Sequence, residues 1–418
     1  MKRPPLTDAA DPFTSSNLQR RKKLARLWQI VFQASTIIGI IALSALLYNI
    51  INQSFGYVAI ENTIDPQSLA VDGVPLEQLG KEELVFILEE NVSKGKFRQL
   101  GREKPFEERS QEEIYSLVID EVVEPQIVKT WLLSESLTQR EQIQAEMAEK
   151  YPQAELVFRS WVNRNFITSP QSSEPLFAGI RTAILGSLWT IAITILFAFP
   201  LAVGAAIYLE EYARDNWFNR LIQTNINNLA GVPSIIYGML GLAMFVRLLE
   251  PLTSGSVFGL VDPTTANGRT ILSAGLTLML LVLPLVIINA QEAIRAVPNS
   301  LRQASLGIGA TKWQTIWAHV LPNAIPGILT GTILAISRAI GETAPLVVVG
   351  ASTFITFDPS SPFSKFTTLP IQIYQWTARP QDEFRNIAGA AILVLLFLLL
   401  TLNAGAILLR NRYGRSYQ

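Results

Sequence analysis

The chain has 418 residues, of which 49% are hydrophobic and only 16% charged. It contains no cysteine and a single histidine, which excludes a disulfide framework, a thiolate metal site and a centre built on several histidines. The formal net charge of zero hides an asymmetry: residues 52–175 hold 12 Lys/Arg against 22 Asp/Glu, and the remainder holds 22 against 12.

Residues 1–16 are polar, carry Pro4, Pro5 and Pro12, and are expected to be a disordered part of a tail over 1–27. Trp28 to Ile50 is then the first of six apolar runs long enough to cross a bilayer core as a helix. The others are Ile180 to Leu209, Asn225 to Val246, Ile271 to Asn289, Ala324 to Gly350 and Ile387 to Leu409. One such run could be a buried helix of a soluble core; six could not. Arg20, Arg21, Lys22, Lys23 and Arg26 precede the first run and place the N-terminus in the cytoplasm. Six crossings put Arg214, Arg220, Arg295, Arg302, Lys312, Arg410, Arg412 and Arg415 on that same side. The first run is too long for a signal-peptide core and no small-x-small site follows it, so a retained anchor is expected.

Residues 52–175 are too long for a plain connection. Helical periodicity appears over Leu76 to Asn91, Ser110 to Glu121 and Ser136 to Lys150, where Leu137 opens a charge-rich helix. SFGYVAI and LVFRSWV read as short strands. The expected product is an acidic, mainly helical α+β domain outside the cytoplasm. It either docks a partner or gates access, or it is a solvated insertion with little direct role. Its negative sign disfavours anions. Two further outer loops, Glu250 to Arg269 and Thr353 to Arg385, are turn-rich. The aromatics of the second, including Phe354, Phe363, Tyr374 and Trp376, suit a membrane interface or a lid over a pore mouth.

Between two apolar runs lies an ordered polar segment, Glu292 to Pro322, reading EAIRAVPNSLRQASLGIGATKWQTIWAHVLP. Ser300 with Gln303, and Thr311 with Gln314, form two capping-box patterns separated by Gly307 and Gly309. The expectation is a short helix, a glycine turn and a second helix running into Pro322. Such a helix fits a groove on a partner. Alternatively it lies on the inner membrane surface, held by Arg302, Lys312, Trp313 and Trp317. Further on, Arg338 and Glu342 fall within a membrane-grade run, spaced to share a helix face and pair. Gly231, Pro233 and Ser234 interrupt the third run; they either expose backbone N–H groups to an anion or merely permit a kink and close packing. No GxxxxGK[ST], HExxH or GxSxG signature occurs, so no catalytic role, ATP site or cofactor is expected.

Gln303-Ala304-Ser305, Gly309 and Leu321-Pro322 resemble the EAA loop of ABC-importer permeases. This copy has Gln303 in place of the leading Glu, Ser305 at the third position, and His319 where an aliphatic residue is usual. NLAGVPSIIYGMLGL (Asn228 to Leu242), EAIRAVP (Glu292 to Pro298), GATKWQTIWAHVLPNAIPGILTG (Gly309 to Gly331) and RAIGETAPL (Arg338 to Leu346) are similar to phosphate-importer permeases of the PstA type. The resemblance runs from about Gly179 to Arg410 and does not cover the acidic segment.

Taken with the apolar runs, the loop charges and the acidic segment, it implies an all-α membrane protein with six transmembrane helices, both termini cytoplasmic and the α+β domain inserted, in a bacterial inner membrane. The implied organisation is an anchor over 28–50, the acidic domain 52–175, a permease core 176–410 with its coupling loop at 291–322, and a tail 411–418. The implied function is ATP-driven import of inorganic phosphate. The implied partners are a homodimer of ATPase subunits, a second permease of the PstC type, an extracytoplasmic phosphate-binding protein and membrane lipid; nucleic acid is not among them. By the same resemblance, Arg302, Gln303, Ala304, Ser305, Leu306, Gly307 and Gly309 form the ATPase-coupling loop. Arg338 contacts phosphate in transit with Glu342 holding it when the path is empty, and Gly231, Pro233 and Ser234 belong to the path. The residues alone leave other readings open: Arg338 and Glu342 as a packing ion pair, sulfate or molybdate as cargo, or a self-powered secondary transporter.

Overall fold

The computed structural model describes residues 15–71, 73–260, 268–351, 354–355 and 357–415. The expectations for residues 1–14 and 416–418, and for the middle of the first outer loop, lie outside these. The chain forms two compact units, Met1–Asn52 and Gln53–Gln418. The first is essentially one helix, α1, Ser15–Ser54. Its apolar residues point outward all round, as in a helix that meets hydrocarbon rather than a protein core. The hydroxyls of Ser35 and Thr36 donate to the carbonyls of Val31 and Phe32, one turn back, so neither needs an external partner.

The second unit begins with the α+β segment. Its antiparallel sheet has the order β2-β1-β3, from β1 (Phe55–Asn62), β2 (Pro125–Thr130) and β3 (Glu155–Ser160). Val58 of the central strand stands opposite Thr130 on one side and Val157 on the other. Between the strands lie α2 (Lys81–Asn91), α3 (Lys94–Glu103) and α4 (Gln111–Val118). Leu84, Leu88, Ile114 and Val118 bury the face that α2 shares with α4. Ser110 caps α4 in a reciprocal box with Glu113. The helix expected over Ser136 to Lys150 is instead two, α5 (Leu133–Thr138) and α6 (Arg140–Lys150). Ser136 belongs to α5, where its buried hydroxyl accepts from Tyr57 N on the sheet, while Leu137 is exposed. Strand β2 and helix α3 escaped the sequence reading: β2 starts on a proline, and α3 is almost wholly polar. A short helix, α7 (Arg164–Thr168), closes the segment.

The membrane-grade part is built around α12. In order come α8 (Arg181–Ile207, extended by a π-helical turn to Tyr212), α9 (Trp217–Ala230), α10 (Ser234–Gly241), α11 (Glu250–Thr253) and α12 (Ile271–Arg295). They are followed by α13 (Asn299–Gly307), α14 (Lys312–Thr315), α15 (Leu321–Ile340), α16 (Ala344–Val349), α17 (Leu369–Thr377) and α18 (Asp382–Arg415). Leu278, Val282, Val286 and Ala290 of α12 are buried among α8, α10 and α15. Among the described residues, five helices are long and apolar enough to span a bilayer, or six if one bent pair counts as a single span.

That bent pair corrects the third expected span. Asn225 to Val246 is not one helix: α9 and α10 meet at 107°. Pro233 lacks an N–H and turns Val232 away from helical geometry, so the chain stops at Gly231 and restarts at Ser234. The Tyr237 hydroxyl donates to Leu229 O at 2.7 Å and ties the two arms together. The fifth expected span is corrected too. α15 ends at Ile340, and Pro345, which cannot continue a helix from upstream, instead sits in the first turn of α16.

Candidate substrate path and coupling surface

Helix α13 does not start as the sequence suggests. Its N-cap is Pro298, without a side-chain cap, and Ser300 lies inside the helix. The Ser300–Gln303 capping box is therefore not formed, because Pro298 halts the preceding chain two residues earlier. The second box is present: Thr311 accepts from Gln314 N, and Gln314 Oε1 accepts from Thr311 N at 2.8 Å. Between them Gly309 adopts φ +90°, its N–H donating to Leu306 O and that of Ala310 to Ser305 O. This pair of bonds is a Schellman closure, which satisfies carbonyls at the helix end. The Ser305 and Thr315 hydroxyls meet at 2.9 Å in a buried contact that locks α13 against the next helix.

Arg302 faces inward. It donates to Glu211 Oε1 through Nε (3.0 Å) and Nη2 (2.9 Å), and to the carbonyls of Val297 and Ile294 at 2.6 and 2.8 Å. Both side chains are largely buried, at 17% and 9% exposure. Arg302 thus joins α13 to the ends of α8 and α12. Arg295 meets Glu210 at 2.6 Å on the same rim, and Lys312 Nζ lies 5.1 Å from the Tyr212 ring. Glu210 and Glu211 were missed by the sequence reading. The signal was available: two carboxylates at a helix C-terminus oppose the helix dipole unless cations lie close.

The remaining loop residues point outward. Gln303, Ala304, Leu306, Gly307 and Gly309 are exposed, and Ile308 at the tip is 86% exposed. Trp313 and Trp317 stack at 5.7 Å and are also exposed. The surface offered is apolar and shaped, while its cations are turned inward or stacked on Tyr212.

At the other end of this helix sits Arg338. The helix runs without interruption from Lys312 to Ile340, through a π-helical turn at Ile316–Val320. Its 29 residues make a rod of about 40 Å. Arg338 lies in the last turn, where a cation suits the helix dipole. Its Nε is 3.3 Å from Glu342 Oε1. Glu342 does not share a helix face with it, however, because Gly341 ends α15 and Glu342 lies in the break beyond. Among the described residues no partner holds the Nη1 and Nη2 atoms of Arg338.

Gly231, Pro233 and Ser234 form the bend between α9 and α10, with Gly231 and Pro233 exposed. The helix that leaves this bend packs on the helix that leaves the α15 break. A Cβ on Gly238 of α10 would lie 2.6 Å from Pro345 Cα of α16, so only glycine permits this approach. The structure thereby joins the elements of the two interrupted motifs through Gly238 and Pro345. Among the described residues no hydrogen bond joins Ser234 to Arg338.

Residues 198–413 match the family described as binding-protein-dependent transport system inner membrane component. The chain belongs to this family. The "Probable ABC transporter permease protein YqgI" of Bacillus subtilis (strain 168) is 34% identical over 261 residues, 59% of this chain and 83% of that protein. "Phosphate transport system permease protein PstA 1" of Mycobacterium tuberculosis (strain CDC 1551 / Oshkosh) is 35% identical over 239 residues, 57% of this chain and 72% of that protein. Among solved structures, a chain of the MetNI methionine ABC transporter in an inward-facing conformation aligns with a TM-score of 0.42 and 15% identity. It covers 56% of this chain and 95% of that one. The chain is accordingly a multi-pass, non-catalytic permease subunit of an ABC importer, of the PstA type, with ATP hydrolysis on a separate chain. The family match starts inside α8 and leaves residues 52–175 outside it.

Proposed function

We propose that this permease carries inorganic phosphate through an inner membrane, taking its force from a separate ATPase dimer at the α13 surface. A PstC-type permease and an extracytoplasmic phosphate-binding protein complete the assembly, and both termini lie in the cytoplasm. The names of the mycobacterial PstA relatives, at 35% and 36% identity, support phosphate over sulfate or molybdate. The observation that carries the reading is Arg338, a guanidinium held by one bond to Glu342 and, among the described residues, with its two terminal nitrogens unpartnered. Those nitrogens can present two parallel donors to a phosphate, a geometry that an ammonium cannot copy.

Docking of Leu306, Ile308 and the exposed face around Gln303 gives the ATPase a grip on α13. Arg302 passes a displacement of α13 to α8 and α12, and the Ser305–Thr315 contact passes it to the rod ending at Arg338. Glu342 competes with phosphate for the guanidinium, which keeps anion retention weak enough for release. Arg338→Ala should abolish phosphate uptake in cells while the ATPase still co-purifies, and Arg338→Lys should restore only a minor fraction. Undiminished uptake in Arg338→Ala would make the residue a packing element. Inhibition of uptake by sulfate as strongly as by phosphate would reassign the cargo.

A further inference from the structure

The α+β segment contains a cavity of about 710 Å³, in the size range of small-molecule sites. Arg159 of β3 and Asp120 both line it. Arg159 Nη2 donates to Leu176 O at 2.8 Å, and its guanidinium lies 5.1 Å over the Trp161 ring. Its Nε is buried without a hydrogen-bond partner, as is Asp120 Oδ1. Among the described residues neither group forms an ion pair, with the other or with anything else. Leaving two opposite charges half-buried and apart is costly, and a protein that only needed neutrality would bring them together.

The backbone beside Asp120 is unusual as well. Asp120 lies in a π-helical turn, Ile119–Val123, that ends on Glu124 at φ +43°. Glu124 is the one non-glycine residue with positive φ among the described residues. Inserted π turns and left-handed non-glycine residues concentrate at functional sites. An adjoining cavity shares Asp120, Gln171 and Phe177 and is rimmed by Glu121, Glu124 and Glu174, with Lys96 paired to Glu121 at 3.0 Å. That rim repels a simple anion, so a ligand that satisfies Arg159 must carry its own positive end.

We infer that this cavity binds a small zwitterion of the amino-acid or short-peptide class, its carboxylate on Arg159 and its ammonium on Asp120. Ile60, Phe166 and Leu176 supply apolar wall for a side chain. Burial and the neighbouring Glu121 raise the Asp120 carboxyl to about 7, and an ammonium beside it restores the ionised form. Trp161, Phe166 and Ile387 of the cavity wall also belong to the apolar cluster that packs the sheet on α17 and α18. The site therefore abuts the joint between the α+β segment and the membrane helices.

The test is calorimetric titration of the purified full-length chain in detergent with glycine, L-leucine, L-glutamate and dialanine, and with acetate, methylammonium and inorganic phosphate as controls. Saturable binding of at least one zwitterion is expected, weakened about tenfold or more by Arg159→Gln and by Asp120→Asn. Ser116→Trp, on the exposed lip, should block binding while leaving the melting temperature near that of the parent. Failure of all four zwitterions to bind, equal binding by acetate or phosphate, or binding untouched by Ser116→Trp would overturn the inference. Transport is not the readout, so this result stands or falls separately from the phosphate reading.

Discussion

Arg302 and Arg295 sit on the same rim, each facing a glutamate from the turn that ends α8, yet their energetics differ. Arg295 is 69% exposed, so its pair with Glu210 is screened and worth at most about 1 kcal/mol. Arg302 is buried and makes its bonds to a carboxylate and two carbonyls that have lost much of their water. Removing Glu211 strands a buried guanidinium, and breaking such a pair costs about 3 kcal/mol or more. Glu211→Ala should therefore lower the denaturation midpoint of the purified protein strongly, whereas Glu210→Ala should barely move it. Arg302→Lys should not rescue, because a point ammonium cannot reach Glu211, Val297 and Ile294 in their fixed fork. Equal effects from Glu210→Ala and Glu211→Ala would show that burial does not set the difference. Two glutamates at the end of α8 signal that cations lie close, but which arginine each meets could not be read along the chain, because Glu211 and Arg302 are 91 positions apart.

At the scale of elements, the long apolar runs and the interruption at Gly231, Pro233 and Ser234 were legible, whereas the size of that bend and the second break were not. Gly231 and Pro233 announce a break there, but hydropathy averages over a window and conceals its 107° angle. Gly341-Glu342-Thr343 vanishes likewise, and with it the true setting of Arg338 beside a helix end. Composition also treated Gly307 and Gly309 as one break. The structure separates them: Gly307 is the last residue of α13 with open space around its Cβ position, while Gly309 holds φ +90°. Gly307→Ala should be neutral or stabilise by up to about 1 kcal/mol through helix propensity. Gly309→Ala should cost about 1–2 kcal/mol, the penalty of a Cβ in the left-handed region. The cost would fall on the turn that presents Ile308. Thermal unfolding checks the stabilities, and co-purification of the ATPase checks the presentation; comparable losses from both substitutions would contradict the Schellman geometry.

For the molecule as a whole, charge and length carry the proposed orientation. The basic residues in the first turns of α1, at the end of α8 and in the tail lie on one side if α1 crosses once and the acidic segment follows on the other. What the sequence could not convey is that Asp120 and Arg159, remote in the chain and unpaired, line one cavity of this acidic segment. The cysteine-free chain makes the orientation directly measurable. Ile308→Cys places a thiol at the tip of the coupling turn, and Leu137→Cys places one on α5; the parent residues are 86% and 72% exposed. A membrane-impermeant maleimide should label position 137 in intact spheroplasts and position 308 only in inverted vesicles. Co-expression of the ATPase should then protect position 308 and leave 137 unchanged. Labelling of both thiols from the same face would refute the proposed topology. Labelling of position 308 undiminished by the ATPase would refute the docking surface while leaving the orientation intact, which separates the two halves of the reading in one experiment.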